Sequence, residues 1–146
     1  MRTAIAGFIA GFASVLLFHQ FGFFLANEFG LLKVPLYSWR PVPPLGVPSI
    51  LSLAFWGGVW GIVGSFLIPR LPAALDGPVG WILFAGVLVT LVNWFVVLPL
   101  KGAPVGGGFR MPAMVVAPLV YALWGVGMWI IFGLTRRALG GKSWSN

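Results

Sequence analysis

Four long runs of apolar residues, each free of Lys, Arg, Asp and Glu, alternate along the chain with short polar stretches. The runs cover about 4–26, 48–68, 79–99 and 112–134. A bilayer core about 30 Å thick needs roughly 20 apolar residues at the helical rise of 1.5 Å. The pattern therefore predicts an all-α integral membrane protein, a four-transmembrane-helix bundle forming one membrane domain over residues 1–146. Three loops, about 27–47, 69–78 and 100–111, hold the prolines, glycines and charges that the runs lack. They include Pro41-Val42-Pro43-Pro44 and Gly106-Gly107-Gly108. Pro48 and Pro112 are expected in the first turns of their helices, where a missing N–H costs nothing. The first run is longer than a secretory h-region, and no small-x-small cleavage site follows it, so it reads as an uncleaved anchor.

Composition strengthens this reading. Of 146 residues, 60% are hydrophobic and 8% charged, against about 25% charged in a soluble domain. There is no cysteine, which excludes disulfides, thiolate metal sites and cysteine nucleophiles. The net charge of +7 comes from nine Lys and Arg against Glu28 and Asp76. These cations are scattered over loops and termini without a basic stripe, so they read as bilayer anchors and not as a nucleic-acid surface.

An even number of spans puts both termini and the middle loop on one side. That side holds Arg2, Arg70, Arg136, Arg137 and Lys142; the other holds Lys33, Arg40, Lys101 and Arg110. The Arg136-Arg137 pair after the last span favours termini in the cytoplasm and location in the inner cell membrane.

The halves of the chain also resemble one another. Pro48 precedes Trp60-Gly61 by the same interval as Pro112 precedes Trp124-Gly125. Lys33 and Trp39-Arg40 upstream of the second run have counterparts in Lys101 and Phe109-Arg110 upstream of the fourth. Two parallel two-helix repeats would follow, with both long loops on one face.

Three sets of residues are candidates for function. The first is small residues and rings for helix packing or an apolar ligand face: Gly7 and Gly11, Gly57, Gly61 and Gly64, with Trp56, Trp60 and Trp124. Glycines four apart let helix backbones approach, within the bundle or against a partner. A flat ligand such as a quinone, carotenoid or porphyrin could use the same rings. Trp39, Trp81 and Trp144 fit an interfacial aromatic belt.

The second set is the costly intramembrane polar residues His19, Gln20 and Asn93. They are expected at similar depth, with His19 and Asn93 hydrogen-bonded across the bundle. An axial-ligand role for His19 toward haem or a chlorophyll magnesium is the sharper alternative. The third set, Lys33, Arg40, Lys101 and Arg110, would form an anionic-lipid or anion-binding face, by Arg forks and Lys point charges, if the repeat gathers them.

Conventional catalysis finds little to use. Glu28 and Asp76 fall in loops on opposite sides, too far apart for paired acid–base work. One histidine with two separated carboxylates falls short of zinc's three or four ligands. Gly140-Gly141-Lys142-Ser143 mimics the end of a phosphate loop, but Arg136 stands where its first glycine is required. No catalytic residue, metal or cofactor is expected.

Trp39-Arg40-Pro41-Val42-Pro43-Pro44, followed by a span with Trp56 and Trp60, resembles the tryptophan-rich translocator-protein family. That family implies five helices and binding of porphyrins and sterols. The resemblance covers about thirty residues, and four spans depart from the family's five, so its fold and ligands are not carried over.

The function expected is that of a non-enzymatic accessory or structural subunit, packing with a larger membrane complex or with itself amid anionic lipids. The alternatives are an oligomeric small-solute or anion transporter with a basic periplasmic mouth, and a binder of an apolar ligand or anionic lipid. An enzyme acting on lipid ranks behind these.

Overall fold

The computed structural model describes residues 1–140. Lys142 of the cation tally, Trp144 of the aromatic belt and positions 141–143 of the phosphate-loop mimic lie outside them. The chain is about three-quarters helical, an all-α bundle of four helices long and apolar enough to cross a membrane. These are α1 (Arg2–Glu28), α2 (Ser49–Arg70), α3 (Pro78–Leu100) and α4 (Ala113–Ala138). They match the four apolar runs to within a few residues. α4 runs on to include Arg136 and Arg137 in its last turn, where cations meet the negative end of the helix dipole.

Two local features differ from the sequence reading. The proline-rich loop contains a small antiparallel hairpin, β1 (Pro41–Val42) with β2 (Val47–Pro48). Pro48 and Pro112 sit at the N-cap positions of α2 and α4 instead of inside the first turn. In Pro48 the backbone is extended, because the residue still belongs to β2. Widened π turns interrupt α1 at Val15–His19 and α3 at Phe84–Val89 and Asn93–Val97.

Glycine decides how the helices pack. Gly7 and Gly11 of α1 face Gly57 and Gly61 of α2 so closely that a Cβ on Gly7 would lie 2.6 Å from the Gly61 carbonyl oxygen. The backbones touch because neither side offers a side chain, the arrangement that small-xxx-small spacing permits. α1 also packs on α4, and α4 on α3. α2 and α3 meet chiefly through larger groups: Trp60 lies 6.0 Å from Phe84, and Gly64 makes room for Trp81. α1 and α3 thus lie across the diagonal of the bundle. The α1–α4 contact is made through side chains, with Gly127 against Ser14 and Phe18 and Gly22 against Val120.

Only 33% to 39% of the most apolar stretch of each helix is buried. Phe21, Phe24, Phe55, Trp56, Phe66 and Phe95 are exposed on the outer faces. A bundle hydrophobic all round has no polar face to offer water.

Candidate functional site

One end of the bundle carries both long connections, and there the chain after α1 folds back along the helix. Asn27 holds Val34 at both backbone groups: its Nδ2 donates to the Val34 carbonyl at 2.8 Å, and its Oδ1 accepts the Val34 N–H at 3.0 Å. Three residues on, the Tyr37 N–H donates to Gln20 Oε1 at 2.9 Å, and its hydroxyl donates to the Leu16 carbonyl at 2.7 Å. Residues 34–37 therefore form a strap, ending in a turn at Leu36-Tyr37, that runs down about two turns of α1, roughly 10 Å at the helical rise. Leu16 lies in the π turn, the irregular stretch of the helix where the strap is fastened. Tyr37 has φ of +47°, in the left-handed region unfavourable for a non-glycine residue, and its two bonds to α1 hold it there.

Beyond the strap, the Ser38 carbonyl accepts the Ile50 N–H, and the Arg40 carbonyl accepts the Ser49 N–H. The Ser49 hydroxyl also donates to Ser38. Tyr37 thereby links Gln20 to the level where α2 begins. Between the strap and the outer face of α1 lies an open groove of about 410 Å³, lined by Leu17, Phe18, Gln20, Phe21, Phe24, Leu36 and Tyr37.

Of the intramembrane polar residues, Gln20 is 4% exposed and serves the strap. His19, also 4% exposed, lies edge-on to Phe23 at 4.7 Å and to Tyr121 at 5.5 Å, with Nδ1 buried and unbonded. The expected His19–Asn93 hydrogen bond is not made. His19 faces α4, while Asn93 belongs to α3 across the diagonal and is half-buried. Ser14 donates to the Trp124 carbonyl at 2.7 Å, and Trp124 donates through Nε1 to the Gly11 carbonyl at 3.1 Å.

The packing set divides in two. Gly7, Gly11, Gly57, Gly61 and Gly64 all lie inside the bundle, with Trp124 buried and Trp60 half-buried. Trp56 alone of that set points outward, 58% exposed, its ring against Phe55. The glycine faces are therefore closed to an outside partner or flat ligand, because α1 and α2 occupy each other's groove.

Lys33, Arg40, Lys101 and Arg110 are all exposed at the strap end of the bundle. None has a side-chain hydrogen bond or ion pair among the described residues. The two aromatic–Arg pairs differ. Trp39 is 69% exposed, whereas Phe109 turns back at φ +50° onto Trp94 and Phe95. At the other end Arg70 caps the last turn of α2 through the Phe66 carbonyl, and Arg136 lies 5.7 Å over the Phe132 ring.

Among the described residues, no three His, Asp or Glu side chains gather as a metal site would require. The sequence reading missed Asn27 and Tyr37. Asn27 showed as a polar residue at the end of a run, but nothing in the pattern marked Tyr37 as the partner of Gln20 and Leu16. No protein-family model matches the chain, and no curated protein or solved structure is similar enough to lend it a function.

Proposed function

We propose that the chain is a multi-pass inner-membrane protein with both termini in the cytoplasm, acting as a non-enzymatic accessory subunit. It packs against a larger membrane complex or a second copy of itself. The observation that carries this reading is the division between inside and outside. The close-packing glycines and Trp124 are consumed in holding the bundle together, and an unbroken apolar girdle is left around it. Such a girdle suits hydrocarbon and the flanks of other membrane helices. Phe55 and Trp56 on α2 are its most prominent aromatic step.

A photo-reactive residue in place of Trp56, activated in cells, tests the proposal. A discrete cross-linked protein or a covalent dimer is the expected product, retained when the complex is purified in mild detergent. A stable monomer that cross-links only to lipid overturns it. The anion-transporter alternative rests on Lys33, Arg40, Lys101 and Arg110. It requires anion flux in liposomes that Arg40→Gln with Arg110→Gln diminishes.

A further inference from the structure

The groove beside the strap combines three features that nothing in the packing of the bundle accounts for. Its walls are apolar: Leu17, Phe21 and Phe24 on α1 face Leu36 and the Tyr37 ring. Of its two polar side chains, Tyr37 commits its hydroxyl to the Leu16 carbonyl, while Gln20 is almost wholly buried and only half used. The carbonyl oxygen is committed to the Tyr37 N–H, which needs an acceptor, so Nε2 is the free end and has no partner among the described residues. Nε2 is not itself a buried atom and so opens into the groove, where an N–H facing hydrocarbon without water gains from a ligand oxygen. Finally, exposed cations stand at both ends of the strap. Lys33 adjoins Val34, and Arg40 follows Tyr37 by three residues, fixed by its carbonyl to the start of α2.

We propose that this groove is a binding site for one anionic phospholipid. The acyl chain descends past Leu17 and the Tyr37 ring, an ester carbonyl accepts from Gln20 Nε2, Phe21 and Phe24 flank the glycerol one turn above, and the phosphate is held by Arg40 with Lys33. The levels agree with that assignment. Gln20 is joined through Tyr37 and Ser38 to the first turn of α2, where the apolar stretch of that helix begins. An ester group belongs at that boundary, with the hydrocarbon below it and the phosphate above. An apolar ligand without a charge would leave Arg40 and Lys33 unused. A free anion would leave the apolar walls unused.

The site rests on the membrane reading, and its test separates the two. The intact protein is extracted, exchanged into mild detergent and supplied with phosphatidylglycerol or phosphatidylcholine. Retained lipid is counted by native mass spectrometry. One phosphatidylglycerol per chain is expected, with phosphatidylcholine bound at least about tenfold more weakly. Lys33→Gln with Arg40→Gln should bring phosphatidylglycerol down to the phosphatidylcholine level, given roughly fivefold per cation near an anionic headgroup. These two side chains make no contact that folding needs. Leu36→Trp, which fills the groove, should lower retention of both lipids while the thermal melt stays near that of the parent. Equal retention of the two lipids, or a charge-depleted variant that still prefers phosphatidylglycerol, overturns the site and leaves the membrane reading intact. A chain that remains folded in buffer without detergent overturns both.

Discussion

Trp124 of α4 donates its indole N–H to the carbonyl of Gly11 in α1, at the point where α1 also meets α2. Gly11 thereby serves two neighbours at once. Its missing side chain admits Gly57, and its oxygen receives Trp124. The same stretch returns the bond, since Ser14 donates to the Trp124 carbonyl. This three-helix junction is the most tightly determined part of the molecule, and the first predictions concern it.

Trp124→Phe keeps most of the ring volume and loses the hydrogen bond. It should cost about 1 kcal/mol, read as a modest fall in melting temperature in detergent. Trp124→Ala leaves a cavity in the core as well and should cost about 3–5 kcal/mol. If the two variants melt alike, the indole N–H is not what ties α4 to α1.

Gly61→Ala should destabilise more than its single methyl suggests. The added Cβ meets the Gly7 carbonyl and lies 2.9 Å from the Gly11 nitrogen, both backbone atoms that cannot swing aside. Overpacking of this kind costs at least about 1–3 kcal/mol. Gly133→Ala on α4 is the control, since nothing lies within 4 Å of its new methyl and its helix propensity improves. The expected order is Gly133→Ala at or above the parent, with Gly61→Ala well below it.

The sequence made the bundle legible and left the strap hidden, for a physical reason. Span length and the exclusion of charge are local properties, read from consecutive residues, and they located all four helices. The glycine spacing was equally visible, but whether Gly7 and Gly61 faced each other or a partner depended on which helices became neighbours. The His19–Asn93 expectation failed on the same point. Both residues needed a partner, but adjacency in a four-helix bundle excludes the diagonal pair. Tyr37 lay beyond reach of pattern reading, because its role depends on chain reversal after Glu28 and on the carbonyl of Leu16 in a π turn.

His19→Phe should be neutral or stabilising. The imidazole packs against Phe23 and Tyr121 as a ring, and its buried Nδ1 earns no hydrogen bond. Replacing an unsatisfied polar group by an apolar one of similar shape removes a desolvation cost. A large loss of stability in His19→Phe would show that the imidazole nitrogens carry a structural bond, and a lost pigment absorbance would revive the axial-ligand role.

The strap should open in steps. Tyr37→Phe removes the bond to Leu16 and keeps the one to Gln20, so amide exchange over 34–37 should quicken by about tenfold, the equivalent of one hydrogen bond. Asn27→Ala removes both bonds to Val34 and should quicken it further, together with proteolysis between α1 and β1. Unchanged exchange in both variants would mean that Leu32 and Leu36 packing alone keeps the segment down.

Because the chain has no cysteine, single introduced thiols can establish which end of the bundle faces the cytoplasm. Leu45→Cys in the hairpin and Val105→Cys in the third loop share the strap end, while Ala74→Cys lies at the opposite end; all three positions are exposed. With cytoplasmic termini, a membrane-impermeant maleimide should label the first two in intact cells and the third only after permeabilisation. The charge balance behind that orientation is narrow, five cations on the terminal side against four on the strap side. Removing two of the five by Arg136→Gln and Arg137→Gln leaves 5 − 2 = 3 against 4, which reverses the bias that sets orientation. Ala74→Cys should then become reactive from outside in part of the population. If labelling of all three thiols is indifferent to those two arginines, something other than flanking charge holds the protein in one orientation, and a partner already seated against α2 becomes the leading cause.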